Sequence, residues 1–287
     1  MNFPKISIVT PSYNQAEYLE QTIKSVIDQG YPNLEYIVID GGSTDGSVEV
    51  IKKYADKLSY WVSEKDKGQY DAINKGFSHS TGEIMGWINS SDLHYPWTLK
   101  FISEIFESLK EVQWLIGTPT NLSKGNAPQK VATPKERNIY DIIAGNYKWI
   151  QQESVFWKRE LWNKAGGKLD TSVAYAEDFN LWLRFYKYAP LYNVNTILAG
   201  FRYHDIRRGG GESGAIDKYS NEALFLYKKF RSETSFKFKF RAKLVNAFQL
   251  NKSLQKRVIR KMKILPWYRH HYVLYNFHSD TWKVDIR

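Results

Sequence analysis

Cysteine is missing from all 287 residues. Its absence rules out disulfides, thiolate zinc sites and thiol nucleophiles, and it fits a reducing compartment. Long apolar runs are missing too: no window approaches the roughly 20 apolar residues of a membrane-spanning helix. The start, Met1-Asn2-Phe3-Pro4-Lys5, runs directly into a strand-like segment with no basic region and apolar stretch behind it. No signal peptide is expected, and the chain reads as soluble or peripheral and cytoplasmic. There is no repeat and no low-complexity tract, and the stretch Asp40-Gly41-Gly42-Ser43-Thr44-Asp45 is not a GxGxxG fingerprint, which counts against a dinucleotide-binding fold.

Aromatic residues, at 16% with 10 Trp and 20 Tyr, exceed what an ordinary core needs. They can fill a core, wall a sugar site or anchor at a membrane interface. The net charge of +11 is concentrated in one place: residues 228–269 hold 14 Lys/Arg against the single acid Glu233, so the remainder of the chain is slightly acidic.

Short β-branched runs alternate with amphipathic stretches: "KISIVT", "EYLEQTIKSVIDQG", "LEYIVID", "SVEVIKKYA", "SYWVSE", "GQYDAINKGF", "EIMGWIN" and "PWTLKFISEIFESLK". The periods predict strand and helix in turn, hence an α/β fold with a mostly parallel central sheet flanked by helices. Beyond 113, "VQWLIGT" and the start of "QESVFWKRELWNKAGG" read as strands, "AEDFNLWLRFYKYA" as a helix and "LYNVNTILAGFRYH" as extended. "DIRRGGGESG" is loop-like, and from about 215 the chain reads as basic, aromatic helices. The expected organisation is one α/β domain over 1–214, its pattern clear over 1–112 and coarser over 113–214, with a helical basic appendage over 215–287.

Ligands of open α/β sheets bind at the carboxyl ends of the strands. The first four strands end in "TPSYN", "DGGSTDGS", "EKDKGQYD" and "NSSD". One polar strand end is an ordinary turn, but four converging on one edge make a site. Asp40 can accept hydrogen bonds from a base N–H or from ribose hydroxyls, and Gly41-Gly42 permit close backbone approach. Asp45 can equally cap the helix that follows it.

The blocks "SIVTPSYNQAEYLEQTIKSVIDQGYPNLEYIVIDGGSTDGSVEVI", "SEKDKGQYDAINKGF" and "GEIMGWINSSD" stand in order. They resemble the family-2 inverting glycosyltransferases of the GT-A fold, and the resemblance extends from about residue 4 to 208. It implies that Thr10, Pro11 and Tyr13 wall the nucleotide base, that Asp40 binds its edge with Gly42 alongside, and that Asp45 lies near ribose. It further implies that Asp66, Gly68, Asp71, Asn74 and Lys75 border the diphosphate and sugar, and that 1–214 is a catalytic domain with a nucleotide-sugar half (1–112) and an acceptor half (113–214); in the loop-like "FRYHDIRRGGGESG" that follows a strand, Arg202 is expected to reach the diphosphate. The family's acidic motif at the end of strand four holds Mg²⁺ or Mn²⁺ against the diphosphate, a site suited to hard oxygen ligands. Here it reads Asn89-Ser90-Ser91-Asp92, so Asp92 is the metal ligand, with Ser91 where a second acid is expected and His204 as a further ligand. Arg207 and Arg208 are added phosphate contacts. Within Glu177-Asp178 the resemblance makes Asp178 the general base, with Glu177 positioning it or binding the acceptor.

The implied reaction is a single displacement from a nucleotide-diphosphate sugar, expected to be a UDP-sugar, onto a hydroxyl of a saccharide or lipid-linked saccharide. The alternative is a catalytically weak or inactive sugar-nucleotide-binding scaffold. The basic, aromatic segment 228–269 suits an anionic membrane surface. That places the enzyme at the inner face of the plasma membrane, serving polysaccharide or glycan synthesis. A tail that packs on the catalytic domain or pairs two copies into a homodimer is the other reading. Nucleic acid is not an expected partner, because it would leave the acid-bearing strand ends without a role.

Overall fold

The structure, a computed structural model, describes residues 3–132, 137–147, 150–203, 215–249 and 267–287. The first half alternates as its periodicity predicts. The order is β1 (Ile6–Ser12), α1 (Ala16–Ile27), β2 (Leu34–Asp40), α2 (Ser47–Lys53), β3 (Tyr60–Ser63), α3 (Gln69–Ser78) and β4 (Ile84–Trp87). The second half contains β5 (Leu93–His94), α4 (Thr98–Ser108), β6 (Trp114–Ile116), β7 (Thr120–Leu122), β8 (Pro128–Val131), α5 (Ile139–Ile143), β9 (Val155–Lys158) and α6 (Arg159–Lys164). After these come α7 (Glu177–Phe185), β10 (Tyr192–Val194), β11 (Ala199–Arg202), α8 (Ala215–Glu233), α9 (Phe236–Gln249), β12 (His271–Asn276) and β13 (Thr281–Ile286).

The main sheet has nine strands in the order β13-β12-β10-β6-β9-β4-β1-β2-β3. β3, β2, β1 and β4 are mutually parallel, so all four carboxyl ends open on one rim. β9 enters antiparallel between β4 and β6. A second, four-stranded sheet, β5-β11-β7-β8, stands beside that rim.

β1 is buried over its whole length, as a central strand covered on both faces must be. Alternate residues serve opposite faces. Ile6, Ile8 and Val38 pack with Leu19 and Ile23 of α1, whereas Val9, Ile37 and Ile39 pack with Ile73 and Phe77 of α3. Most of the aromatic excess goes into the second cluster. Trp87, Trp114, Trp157 and Trp182 are fully buried, with Trp87 and Trp114 stacked on Trp182 at 5.8 and 5.7 Å.

The C-terminal segment departs from the expected helical appendage. α8 and α9 are helices, but α8 is part of the core: Ala223, Leu226, Tyr227 and Phe230 are buried in the tryptophan-rich cluster. Residues 271–286 are not helical. They form a hairpin whose first strand pairs parallel with β10 and widens the main sheet. The alternation in "HYVLYN" and "TWKVDI" is masked by its aromatic and polar residues, and the pairing partner lies about 80 residues upstream. Among the described residues no helix is long and apolar enough to cross a membrane.

Candidate active site

A cleft of about 560 Å³ opens at the carboxyl ends of β1 to β4. Its wall includes Pro11, Ser12 and Tyr13 from β1 and the loop behind it, Gly41 and Gly42 after β2, Lys65, Asp66 and Gly68 between β3 and α3, and Gln69 at the start of α3. The turn Asn89-Ser90-Ser91-Asp92 and Phe201 and Arg202 of β11 complete it. The four polar strand ends thus share one site.

Tyr13 is 61% exposed at the wall. Thr10 lies outside the lining: it is buried, with its hydroxyl 2.9 Å from the Tyr36 hydroxyl. Asp40 is fully buried at the end of β2. One oxygen accepts from the N–H of Gly42 at 3.1 Å, the N–H of Ser43 at 2.8 Å and the Ser63 hydroxyl at 2.7 Å; the other accepts from the Ser43 hydroxyl at 2.5 Å. These bonds pin the glycine loop. Gly42 has φ +82°, a conformation that favours glycine. A Cβ on Gly41 would stand 2.6 Å from Asp66 Oδ2 and 3.3 Å from the Tyr13 ring. The bare backbone there is what lets Tyr13, the loop and Asp66 meet.

Asp45 sits outside the cleft lining. Its oxygens accept from the N–H of Ala16 at 2.9 Å and from the N–H and hydroxyl of Ser47 at 3.0 and 2.6 Å, joining the starts of α1 and α2. Burial alone would raise its pKa, but these donors hold the carboxyl below the usual range. Asp66 faces the cleft and accepts from the N–H of Gly68 at 2.7 Å. Asp71, Asn74 and Lys75 lie outside the lining. Asp71 accepts from the N–H of Lys67 at 3.0 Å, Asn74 exchanges two hydrogen bonds with the backbone of Leu169, and Lys75 pairs with Glu64 at 2.9 Å.

Asp92, 1% exposed, lies at the cleft floor. Its Oδ1 accepts from the N–H of Arg202 at 3.0 Å and its Oδ2 from the Asn89 amide at 3.3 Å, while Gln69 donates to Asn89 Oδ1. The Arg202 guanidinium runs back over the Tyr18 ring, 4.8 Å from its centroid, and donates to Gln21 at 2.9 Å. His204, Arg207 and Arg208 lie outside the described residues.

Glu177 and Asp178 open α7. Glu177 is completely buried and accepts from Arg184 at 2.6 Å, the Asn180 amide at 2.7 Å and the N–H of Asp170 at 2.8 Å. It ties α7 to the preceding loop, and burial raises its pKa to about 7. Asp178 is half-buried, and desolvation pushes its carboxyl up to about 7 as well, against the pull of hydrogen bonds from the N–H of Phe179 and from Tyr219. Glu153 stands close enough to both Asp92 and Asp178 for each to raise its pKa, which burial already holds well above the ordinary value. It links the cleft floor to the start of α7. Glu153 and Tyr219 carry no motif signal in the sequence; only tertiary packing brings them here.

The family model for Glycosyl transferase family 2 matches residues 7–114. An uncharacterized glycosyltransferase of Mycobacterium tuberculosis is 41% identical over 181 residues, covering 62% of this chain and 68% of that protein. An uncharacterized glycosyltransferase of Rickettsia typhi is 28% identical over 239 residues, 80% of this chain and 74% of the relative. A longer one from Rickettsia conorii, 28% identical, is spanned over only 38% of its length. Among solved structures, S. aureus TarS 1-349 in complex with UDP-GlcNAc superimposes with a TM-score of 0.65 at 16% identity, over 91% of this chain and 76% of that one. The mannosyltransferase PcManGT from Pyrobaculum calidifontis, in complex with GDP-Man and Mn²⁺, gives 0.55 at 17% identity, over 89% and 83%. At such identities the likeness to solved structures is one of fold.

Proposed function

The chain belongs to glycosyl transferase family 2, and from that premise we propose that it transfers a sugar, with inversion, from a UDP-sugar to a hydroxyl of a saccharide or lipid-linked saccharide. The observation that carries this reading is the cleft shared by four strand ends, with Asp92 at its floor and Asp178 beyond Glu153. Its volume suits a small-molecule ligand. Exposed Tyr13 offers a face for the base, and the Gly41-Gly42 loop a close approach for ribose.

The oxygen set at the floor is hard but sparse: the Asp92 carboxylate, the Asn89 amide and the hydroxyls of Ser90 and Ser91. Among the described residues no group of three acidic or histidine side chains could hold a metal. The set fits Mg²⁺ or Mn²⁺ only where donor phosphates and water supply the remaining ligands. Such an ion, held by Asp92, would neutralise charge on the departing diphosphate.

Asp178 supplies the base. A carboxyl with a pKa near 7 is half ionised at neutral pH, and it binds a proton better than an ordinary aspartate does. It takes the proton from the acceptor hydroxyl. The oxygen forms a bond to the anomeric carbon while the bond to the diphosphate oxygen on the opposite face breaks, and the electron pair leaves with the nucleotide. One displacement inverts the anomeric centre and needs no covalent enzyme intermediate.

Proton NMR of the product's anomeric signal, with Asp178→Asn beside wild type, tests the reading. Inversion and a fall in turnover of roughly 100-fold or more, with nucleotide affinity retained, are expected. Retention of configuration, or an Asp178→Asn enzyme with near wild-type turnover, overturns it. One observation favours a binding-only scaffold, namely the single carboxylate at the end of strand four. A chain that binds UDP-sugars yet neither hydrolyses nor transfers them with Mn²⁺ present would support that reading.

A further inference from the structure

α8 turns one face onto the start of α7. Residues 219, 222, 223, 226, 227 and 230 follow the i, i+3, i+4 spacing of a single helical stripe. The last four are buried in the core, and the Tyr227 hydroxyl donates to the carbonyl of Ile143 at 3.0 Å, so the helix is fixed in place. Glu222 accepts from the backbone N–H groups of Ala174, Tyr175 and Ala176 at 3.1, 2.7 and 2.9 Å. It thereby holds the chain that leads into Asp178. One turn earlier, the Tyr219 hydroxyl lies 3.1 Å from Asp178 Oδ1 and 3.3 Å from Oδ2. Oδ1 also accepts from the N–H of Phe179 at 2.7 Å, which leaves Oδ2 as the less occupied oxygen.

We propose that Tyr219 is a positioning residue for the reaction: its hydroxyl orients the Asp178 carboxylate, presents Oδ2 to the acceptor hydroxyl and sets the proton affinity of that oxygen. The inference rests on the reading of Asp178 as the base. It makes α8 part of the active site, although it lies beyond the segment matched by the family model.

The groups around the pair define the expected signs. Glu177 on α7 and Glu153 on the turn before β9 both disfavour the ionised Asp178, whereas the hydrogen bond from Tyr219 favours it. Tyr70, whose hydroxyl accepts from the N–H of Glu177, and Arg137 are the other titratable groups that act on Tyr219, the first raising its pKa and the second lowering it. A substitution confined to the Tyr219 hydroxyl leaves all four in place. Removing a donor from a carboxylate raises its pKa, and strengthening the donor lowers it.

The test is the pH profile of kcat/KM with the full-length enzyme, comparing wild type, Tyr219→Phe and enzyme carrying 3-fluorotyrosine at position 219. Wild type loses activity on the acid side as Asp178 becomes protonated. Tyr219→Phe moves that limb to higher pH by roughly half a unit to one unit, the size of one net hydrogen bond. Its kcat falls about tenfold at pH 7 while its affinity for UDP is unchanged. The fluorinated side chain keeps its shape and donates more strongly, so it moves the limb to lower pH, and its result decides if Tyr219→Phe does not fold. An acid limb that stays in place in the folded variants overturns the inference. If Asp178→Asn itself retains turnover, the reading of the base fails instead, so the two failures are distinguishable.

Discussion

Glu153 illustrates how far a residue's environment can depart from what its letter suggests. It is 2% exposed, its Oε1 has no hydrogen-bond partner among the described residues, and two further carboxylates lie close by. Burial disfavours its ionised form, with the Asp92 charge adding to the effect, so its folded pKa is raised well above the ordinary value. The sign for stability follows by linkage. Below the ordinary carboxylate pKa the group is protonated in both folded and unfolded chains, and it costs nothing. As pH rises through the interval up to the raised value, the unfolded chain ionises freely and the folded one does not, so stability is lost. Glu153→Gln removes that loss. The variant should melt with wild type near pH 4 and above it by a few degrees near pH 8, measured by calorimetry. A variant that melts lower at pH 8 would show that the carboxylate is needed where it is.

At the scale of elements, legibility followed sequence separation. The strands and helices up to β4 could be read from periodicity because each is buried by its immediate neighbours, and a parallel strand covered on both faces leaves an unbroken apolar run. The strand ends were legible for the same reason: an apolar run broken by Asp40-Gly41-Gly42 or Asn89-Ser90-Ser91-Asp92 states where the sheet stops. Nothing local announces that β9 slots antiparallel between β4 and β6, or that Tyr219 reaches Asp178 from 41 residues away. The hairpin β12–β13 is not legible because eight of its twelve strand residues are aromatic or polar and its anchor is tertiary. Trp282 packs edge-on against Phe101 of α4 at 5.4 Å and donates to Glu104 at 3.0 Å. Trp282→Ala removes that anchor from a partly buried site, at a cost of about 2 kcal/mol, below the range for a fully buried tryptophan. Thermal denaturation should show a fall of several degrees with UDP affinity intact, since the hairpin lies at the opposite edge of the sheet from β1 to β3. An unchanged melting temperature would mean that the hairpin adds nothing to the fold.

For the whole molecule the question is where the positive charge points. The segment 228–269 carries more than the whole net excess, and its described part is not a loose tail, because α8 is buried along one face. The other side of α8 and the start of α9 leave Phe225, Phe236 and Phe240 66%, 82% and 53% exposed, with Lys228, Lys229 and Lys237 exposed beside them. Exposed phenylalanines among lysines are costly in water and favourable at an anionic interface, where rings enter the headgroup region and each cation adds about 1 kcal/mol. From this pattern we propose peripheral attachment to an anionic membrane surface. The full-length protein should pellet with phosphatidylglycerol vesicles and not with phosphatidylcholine vesicles. Raising salt from 0.1 M to 0.5 M should weaken pelleting as screening shortens the reach of the charges from about 10 Å. Phe236→Ser with Phe240→Ser should reduce pelleting severalfold and leave turnover on a soluble acceptor unchanged, because neither ring touches the cleft. Truncation before Lys228 would be the wrong experiment, since it removes Phe230 from the core and cuts the helix that carries Tyr219. A wild-type protein absent from both pellets at low salt would rule out the surface as the partner of this patch.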